Sequence, residues 1–163
     1  MTTAHDFSFH KLDEPGDINL SDYAGKAVLV VNVASACGLT PQYRDLEALY
    51  EAKAAKGLVI LGVPCNDFGH QEPAPENEIR EFCDTSYHVT FPMTSKVEIV
   101  SEERRHPFYQ WVADQLGDSA LPRWNFHKYL IGKHGELVES FSSKEAPLGP
   151  SLLEVIKETL TAP

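Results

Sequence analysis

Three cysteines, Cys37, Cys65 and Cys83, are the side chains best suited to covalent chemistry in this sequence. Cys37 lies four residues after the apolar run AVLVVNV, residues 27–33, and just before Thr40-Pro41. That spacing puts it between the C-terminal end of a buried strand and the start of a helix, the edge where open α/β sheets carry reactive groups. Unpaired amides and the positive end of the helix dipole favour a thiolate there, and the thiolate is the nucleophile. Position alone also allows a buried cysteine that only fills space. Neutral donors are enough to hold a thiolate, because amide and indole N–H groups favour the anion without adding a proton acceptor. Two stretches offer such donors. Pro64-Cys65-Asn66-Asp67-Phe68-Gly69-His70-Gln71-Glu72-Pro73 follows a second apolar strand and so reaches the same sheet edge; Arg123-Trp124-Asn125-Phe126 stands just before a later strand.

The elements that must position these residues are readable from their periodicity. The run 27–33 is β-branched and almost continuously apolar, the pattern of a strand buried on both faces. Phe7 and Phe9 alternate ahead of the turn-forming residues 12–17, which predicts an N-terminal hairpin. With Thr40 as N-cap and Pro41 at the first helical position, a helix is predicted from 41 to about 56, closed by Gly57. A second strand follows over 58–63, completing a βαβ unit. Residues 76–84 read as a short helix, 97–100 as a short strand and 105–116 as a helix with Phe108, Trp111, Val112 and Leu116 on one side. Strands at 129–131 and 136–141 flank the turn Gly132-Lys133-His134-Gly135, and a helix closes the chain over 151–160. Two parallel strands, an antiparallel hairpin and a closing helix predict an α/β thioredoxin-like fold, with a central mixed β-sheet flanked by helices.

Composition narrows the function classes. The chain has 163 residues, one domain spanning 1–163, with no repeat or linker to divide it. A chain this long buries roughly 70% of its unfolded surface and needs no metal or disulfide staple. A net charge of −10 argues against nucleic acid or an anionic membrane as partner. No apolar run approaches the roughly 18 residues of a membrane span. The N-terminus MTTAHDFSFH lacks a basic region followed by an apolar core, so no secretory signal is expected and the cytoplasm is the expected location. The seven histidines show no HxxxH pair and there is no CxxC, so neither a metal nor a cofactor is expected. Three cysteines are an odd number for a structural disulfide framework, which leaves free thiols or catalysis.

Taken together, Asn32-Val33-Ala34-Ser35-Ala36-Cys37-Gly38-Leu39-Thr40, the loop 64–73 and Trp124-Asn125-Phe126-His127-Lys128-Tyr129-Leu130-Ile131 resemble the glutathione peroxidase family, in the family's order and over nearly the whole chain. The resemblance implies a thiol peroxidase of the cysteine type, with Cys37 as the peroxidatic residue and Gln71, Trp124 and Asn125 completing its thiolate-stabilising tetrad. Asp67 stands where the family usually has glutamine, and His88 where Tyr-Gly-Val-Thr-Phe-Pro is usual. Asp67 adds negative charge near the site, which would raise the thiol pKa. Cys83, in Glu81-Phe82-Cys83-Asp84-Thr85-Ser86-Tyr87, matches the resolving cysteine of the thioredoxin-dependent branch; Cys65 matches a structural cysteine.

Only residues 117–123 separate Leu116 from Trp124, whereas tetrameric glutathione-using relatives carry an extra segment there. The resemblance therefore implies a monomer with an open site that admits hydrogen peroxide, organic and lipid hydroperoxides and a reductase protein, in a response to oxidative stress. The expected cycle forms a sulfenic acid on Cys37, condenses it with Cys83 and recovers both thiols through thioredoxin. The alternatives are a peroxidase reduced by glutathione, and a redox sensor that relays oxidation to a protein partner.

Overall fold

The computed structural model describes all residues from Met1 to Pro163. Strands β1 (Ser8–His10) and β2 (Asp17–Asn19) form the expected antiparallel hairpin, with Phe9 opposite Ile18. The body of the chain then runs β3 (Ala27–Val33), α1 (Gln42–Lys53), β4 (Leu58–Pro64), α2 (Glu76–Phe82), α3 (Pro107–Leu116), β5 (Lys128–Ile131), β6 (Leu137–Phe141) and α4 (Pro150–Thr161). The four long strands make one mixed sheet in the order β4-β3-β5-β6. β3 and β4 are parallel, from Ala27 opposite Leu58 to Val33 opposite Pro64, while β5 runs antiparallel to β3 and β6 antiparallel to β5. No helix is long and apolar enough to cross a membrane.

The unbroken apolar character of β3 and β4 follows from burial on both faces, since alternate side chains of a strand point to opposite sides. Leu29, Val31 and Val33 join Ile60, with Tyr43, Leu46 and Leu49 of α1 and Leu152 and Ile156 of α4. Val28 and Val30 point the other way and join Val59, Leu61 and Val63, with Phe108, Tyr109, Trp111 and Val112 of α3 and Phe9 and Ile18 of the hairpin. The sheet thus separates two apolar layers. Cys37 and Cys83 belong to the α1/α4 layer, and Cys65 to the α3 layer.

Three expectations about local structure are corrected. Thr40 does not cap α1: its hydroxyl donates to the Ala34 carbonyl at 2.8 Å and accepts the Cys37 amide at 2.9 Å, so it braces the loop before the helix instead. Residues 97–100 form no strand but only single bridges, Cys65 with Val97 and Glu98 with Arg105. The reason is local: the Asp67 carboxylate takes the Ile99 and Val100 amides, at 2.6 and 2.9 Å, and removes them from any ladder. The short helix after Pro75 ends at Phe82, and Cys83–Tyr87 continue as a π-helical turn closed by His88 at φ 51°.

Candidate active site

The chain between β3 and α1 turns so that Cys37 faces the edge of the sheet at the N-terminal end of α1, with 8% of its surface exposed. Its sulfur accepts the Leu39 amide at 3.3 Å, and its carbonyl accepts the Thr40 amide at 3.0 Å. The loop is held from within by Thr40 and from outside by the Ala36 amide, which donates to the Gln71 carbonyl at 3.1 Å. One hydrogen bond therefore ties the Cys37 loop to the Gln71 loop, one residue from the sulfur.

Gln71, Trp124 and Asn125 converge on that junction. The Asn125 amide donates to the Phe68 carbonyl at 3.1 Å and to Gln71 Oε1 at 3.0 Å. With its oxygen so engaged, the Gln71 Nε2 group is left free to donate. The indole of Trp124 lies against Gly69, where an added Cβ would meet Cη2 at 2.6 Å. Trp124 is 37% exposed and forms the rim of the site, whereas Asn125 is fully buried. The sulfur takes its hydrogen bond from the Leu39 backbone, while the Asn125 and Gln71 side chains are bonded to each other, the Gln71 backbone to the Cys37 loop, and the Trp124 ring packs on Gly69.

Gly69 has φ 74°, a conformation that costs a residue with a Cβ about 1–2 kcal/mol before any clash. Gly69→Ala is therefore expected to destabilise the fold by about 2 kcal/mol and to push Trp124 outward. Urea unfolding checks the first effect and a red-shifted tryptophan emission the second, because Trp111 stays buried in the α3 layer.

Asn32 sets the height of the Trp124–Phe126 turn. It is a polar residue buried near the C-terminal end of β3; its side-chain amide donates to the Trp124 carbonyl at 3.0 Å, and its own carbonyl accepts the Phe126 amide at 2.6 Å. Phe126 takes φ 67°, and its carbonyl receives the Nζ of the fully buried Lys128 at 2.6 Å. Burial pulls the Lys128 ammonium down to about 8, with Glu145 opposing the shift. Sequence reasoning assigned no role to Asn32 or Lys128. The available signal was an amide inside the apolar run 27–33 and a lysine immediately before the apolar run 129–131.

Asp67 turns its carboxylate toward the Ile99 and Val100 amides and lies beside Cys65. Burial pushes the Cys65 thiol up to about 12, with the Asp67 backbone amide opposing the shift and its carboxylate adding to it. Cys83 is completely buried in the first residue of the π-helical turn, and burial pushes its thiol up to about 11, partly countered by the neighbouring Tyr43 hydroxyl. All three cysteines are free thiols. Shallow depressions of about 360 Å³ flank the site: one includes Gly38, Leu39, Arg44 and Lys144, and the other Leu121, Arg123, Trp124 and Lys144.

The chain matches the family described as glutathione peroxidase over residues 4–113. It is 43% identical over 147 residues to the glutathione peroxidase-like peroxiredoxin gpx1 of Schizosaccharomyces pombe, covering 88% of this chain and 92% of that one. With the thioredoxin/glutathione peroxidase BtuE of Escherichia coli it shares 39% identity over 171 aligned positions, 91% of this chain and 93% of the other. A solved structure, Trgpx in apo form, superposes with a TM-score of 0.79 at 33% identity, covering 99% and 97% of the two chains.

Proposed function

The chain belongs to the glutathione peroxidase family and is a hydroperoxide-reducing oxidoreductase of the thioredoxin fold; from that premise we propose that Cys37 attacks the peroxide and Cys83 resolves the product. The Cys37 thiolate attacks one peroxide oxygen, the O–O bond breaks, and the leaving oxygen departs as water or an alcohol. Cys37 is left as the sulfenic acid. The Cys83 sulfur then attacks the Cys37 sulfur, an S–S bond replaces the S–O bond, and water leaves. A dithiol of the thioredoxin type takes up the disulfide by exchange and returns both thiols.

In this reading the Nε2 of Gln71 and the indole N–H of Trp124 are the neutral donors that stabilise the thiolate, and Asn125, whose two amide hydrogens go to Phe68 and Gln71, holds Gln71 in place. The free Nε2 of Gln71 and the link from the Gln71 carbonyl to the Ala36 amide support that assignment. The observation that carries the two-cysteine cycle is the shared layer: Cys37 and Cys83 lie on the same side of the sheet, with Cys65 on the other. Disulfide formation requires a Cα separation of about 4.4–6.8 Å, and both thiols start out free and buried. The seven-residue α2 and the π-helical turn after it, a rare form of backbone frequently found at functional sites, supply the piece of chain that rearranges. The family carries a peroxide substrate and a thioredoxin- or glutathione-type reductant. The presence of Cys83 favours thioredoxin, the open rim at Trp124 favours bulky organic and lipid hydroperoxides, and the enzyme acts as a cytoplasmic monomer.

Mass spectrometry of the alkylated protein after one equivalent of hydrogen peroxide tests the cycle. The expected product is a single Cys37–Cys83 disulfide with Cys65 alkylated. A disulfide that includes Cys65 would refute it.

A further inference from the structure

Four residues other than glycine hold a left-handed backbone: Asp13, His70, His88 and Phe126. That conformation presses Cβ against the following carbonyl, so it is uncommon and costly for any residue that has one. Asp13 lies in the turn of the N-terminal hairpin, whereas His70 adjoins Gln71 and Phe126 adjoins Asn125 in the turns that build the site. His88 adjoins none of these. With φ 51° and ψ 47° it sits where the π-helical turn that begins at Cys83 comes to an end. Its imidazole is exposed and belongs to neither apolar layer, so packing of the side chain does not offset the cost.

The chain is held differently on the two sides of His88. Before it, the Cys83 carbonyl accepts the His88 and Val89 amides, and the segment rests on the core through Ile79 and Cys83, with Phe82 and Tyr87 against the Tyr43 ring. After it, Thr90 is clamped to α1: its amide donates to Glu47 Oε1 at 2.8 Å and its hydroxyl to Oε2 at 2.5 Å, and Glu47 is buried. At the far end of the segment the Lys96 amide donates to Glu76 Oε2 at 3.0 Å. Two carboxylates therefore pin the stretch 76–90 at its ends, and any movement of Cys83 must be taken up between them. His88 is the one residue of that stretch where turning the backbone out of its present conformation relieves strain instead of creating it.

We propose that His88 is a positioning residue for the resolving step, its strained backbone being the pivot about which the Cys83 segment swings toward Cys37. The inference rests on Cys83 as the resolving residue. No bond is made or broken at His88, and its ring has no part in the chemistry. The left-handed conformation raises the energy of the reduced chain, in which Cys83 is buried, and the cost disappears once the segment has swung out. A residue that destabilises the major state raises the population of the minor one. The strain thus speeds disulfide closure and moves the dithiol–disulfide equilibrium toward the disulfide.

The test alters the backbone and the ring separately. His88→Gly removes the strain, because glycine takes positive φ freely, while His88→Ala removes the imidazole and keeps the Cβ. Each protein is mixed with one equivalent of hydrogen peroxide, quenched at intervals by alkylation, and analysed by mass for sulfenic acid and disulfide. The disulfide is also equilibrated against dithiothreitol, and the reduced and oxidised forms are melted separately. In His88→Gly, Cys37 sulfenic acid is expected at the wild-type rate, with disulfide closure slowed at least threefold. Its equilibrium is expected to move at least threefold toward the dithiol, about 14 mV for a two-electron couple, and only its reduced form to melt higher. His88→Ala is expected to close the disulfide at or above the wild-type rate. The proposal fails if His88→Gly closes at the wild-type rate, if it slows both steps alike, or if both forms gain the same melting temperature. It also fails if His88→Ala slows closure as glycine does, which would assign the effect to the ring. A wild-type chain that never joins Cys37 to Cys83 would overturn the two-cysteine cycle itself, whereas normal closure in both wild type and His88→Gly would overturn this inference alone.

Discussion

A Cys37→Ser chain is expected to consume no peroxide above background, a loss of at least about a thousandfold, or about 4 kcal/mol in the barrier. Two physical reasons support so large an effect. A serine hydroxyl does not ionise at neutral pH, so no anion forms at the N-terminal end of α1. Oxygen also cannot take the place of sulfur in accepting a second oxygen from the peroxide, so no analogue of the sulfenic acid exists. The fold should hardly notice the exchange. Serine is close in size, its oxygen can accept the Leu39 amide that the sulfur now accepts, and the position keeps some contact with solvent. Thermal unfolding is therefore expected to move by less than about 1 kcal/mol. Residual turnover within a factor of ten of wild type would remove Cys37 from the chemistry.

For Cys83→Ser the expected result is a separation of the two halves of the cycle. One equivalent of peroxide is still consumed, because Cys37 and its surroundings are intact, and sulfenic acid accumulates in a form that a dimedone adduct reveals by mass. Turnover supported by thioredoxin falls at least about a hundredfold, since no disulfide is presented for exchange. Here the fold does respond. Cys83 is wholly buried, and a serine hydroxyl at its place costs about 1–3 kcal/mol unless it pairs with Tyr43. Cys83→Ala, which buries no polar atom, separates stability from chemistry: it should show the same loss of cycling. If either variant cycles fully with thioredoxin, the resolving role falls. Cycling recovered with glutathione alone would assign the wild-type reductant differently.

The sheet was legible because its two central strands are buried on both faces, and double burial leaves an unmistakable record in runs such as Ala27–Val33 and Leu58–Pro64. The positions of Cys37, Gln71, Trp124 and Asn125 at one edge followed from topology, since both loops leave the sheet on the same side. The details that fix their orientation were not legible. Thr40 has the composition of a helix cap and acts as a brace, because the Ala34 carbonyl and Cys37 amide are closer competitors for its hydroxyl than the first helical turn. The Leu39 amide on the sulfur is a backbone group, and no choice of side chain announces it. Residues 97–100 have the composition of a strand, but a single carboxylate, Asp67, diverts two of their amides. The π-helical turn at Cys83–Tyr87 differs from an α-helical continuation by one extra residue per turn, which periodicity over five residues cannot resolve.

In the proposed cycle the sheet is a barrier that keeps the pairing of cysteines faithful under repeated oxidation. Three thiols allow three pairings, yet the wall of strands keeps Cys65 out of reach of both partners, and its burial holds it protonated and inert. Under the proposed cycle, repeated oxidation is therefore expected to return the same Cys37–Cys83 pair each time, with Cys65 still a free thiol.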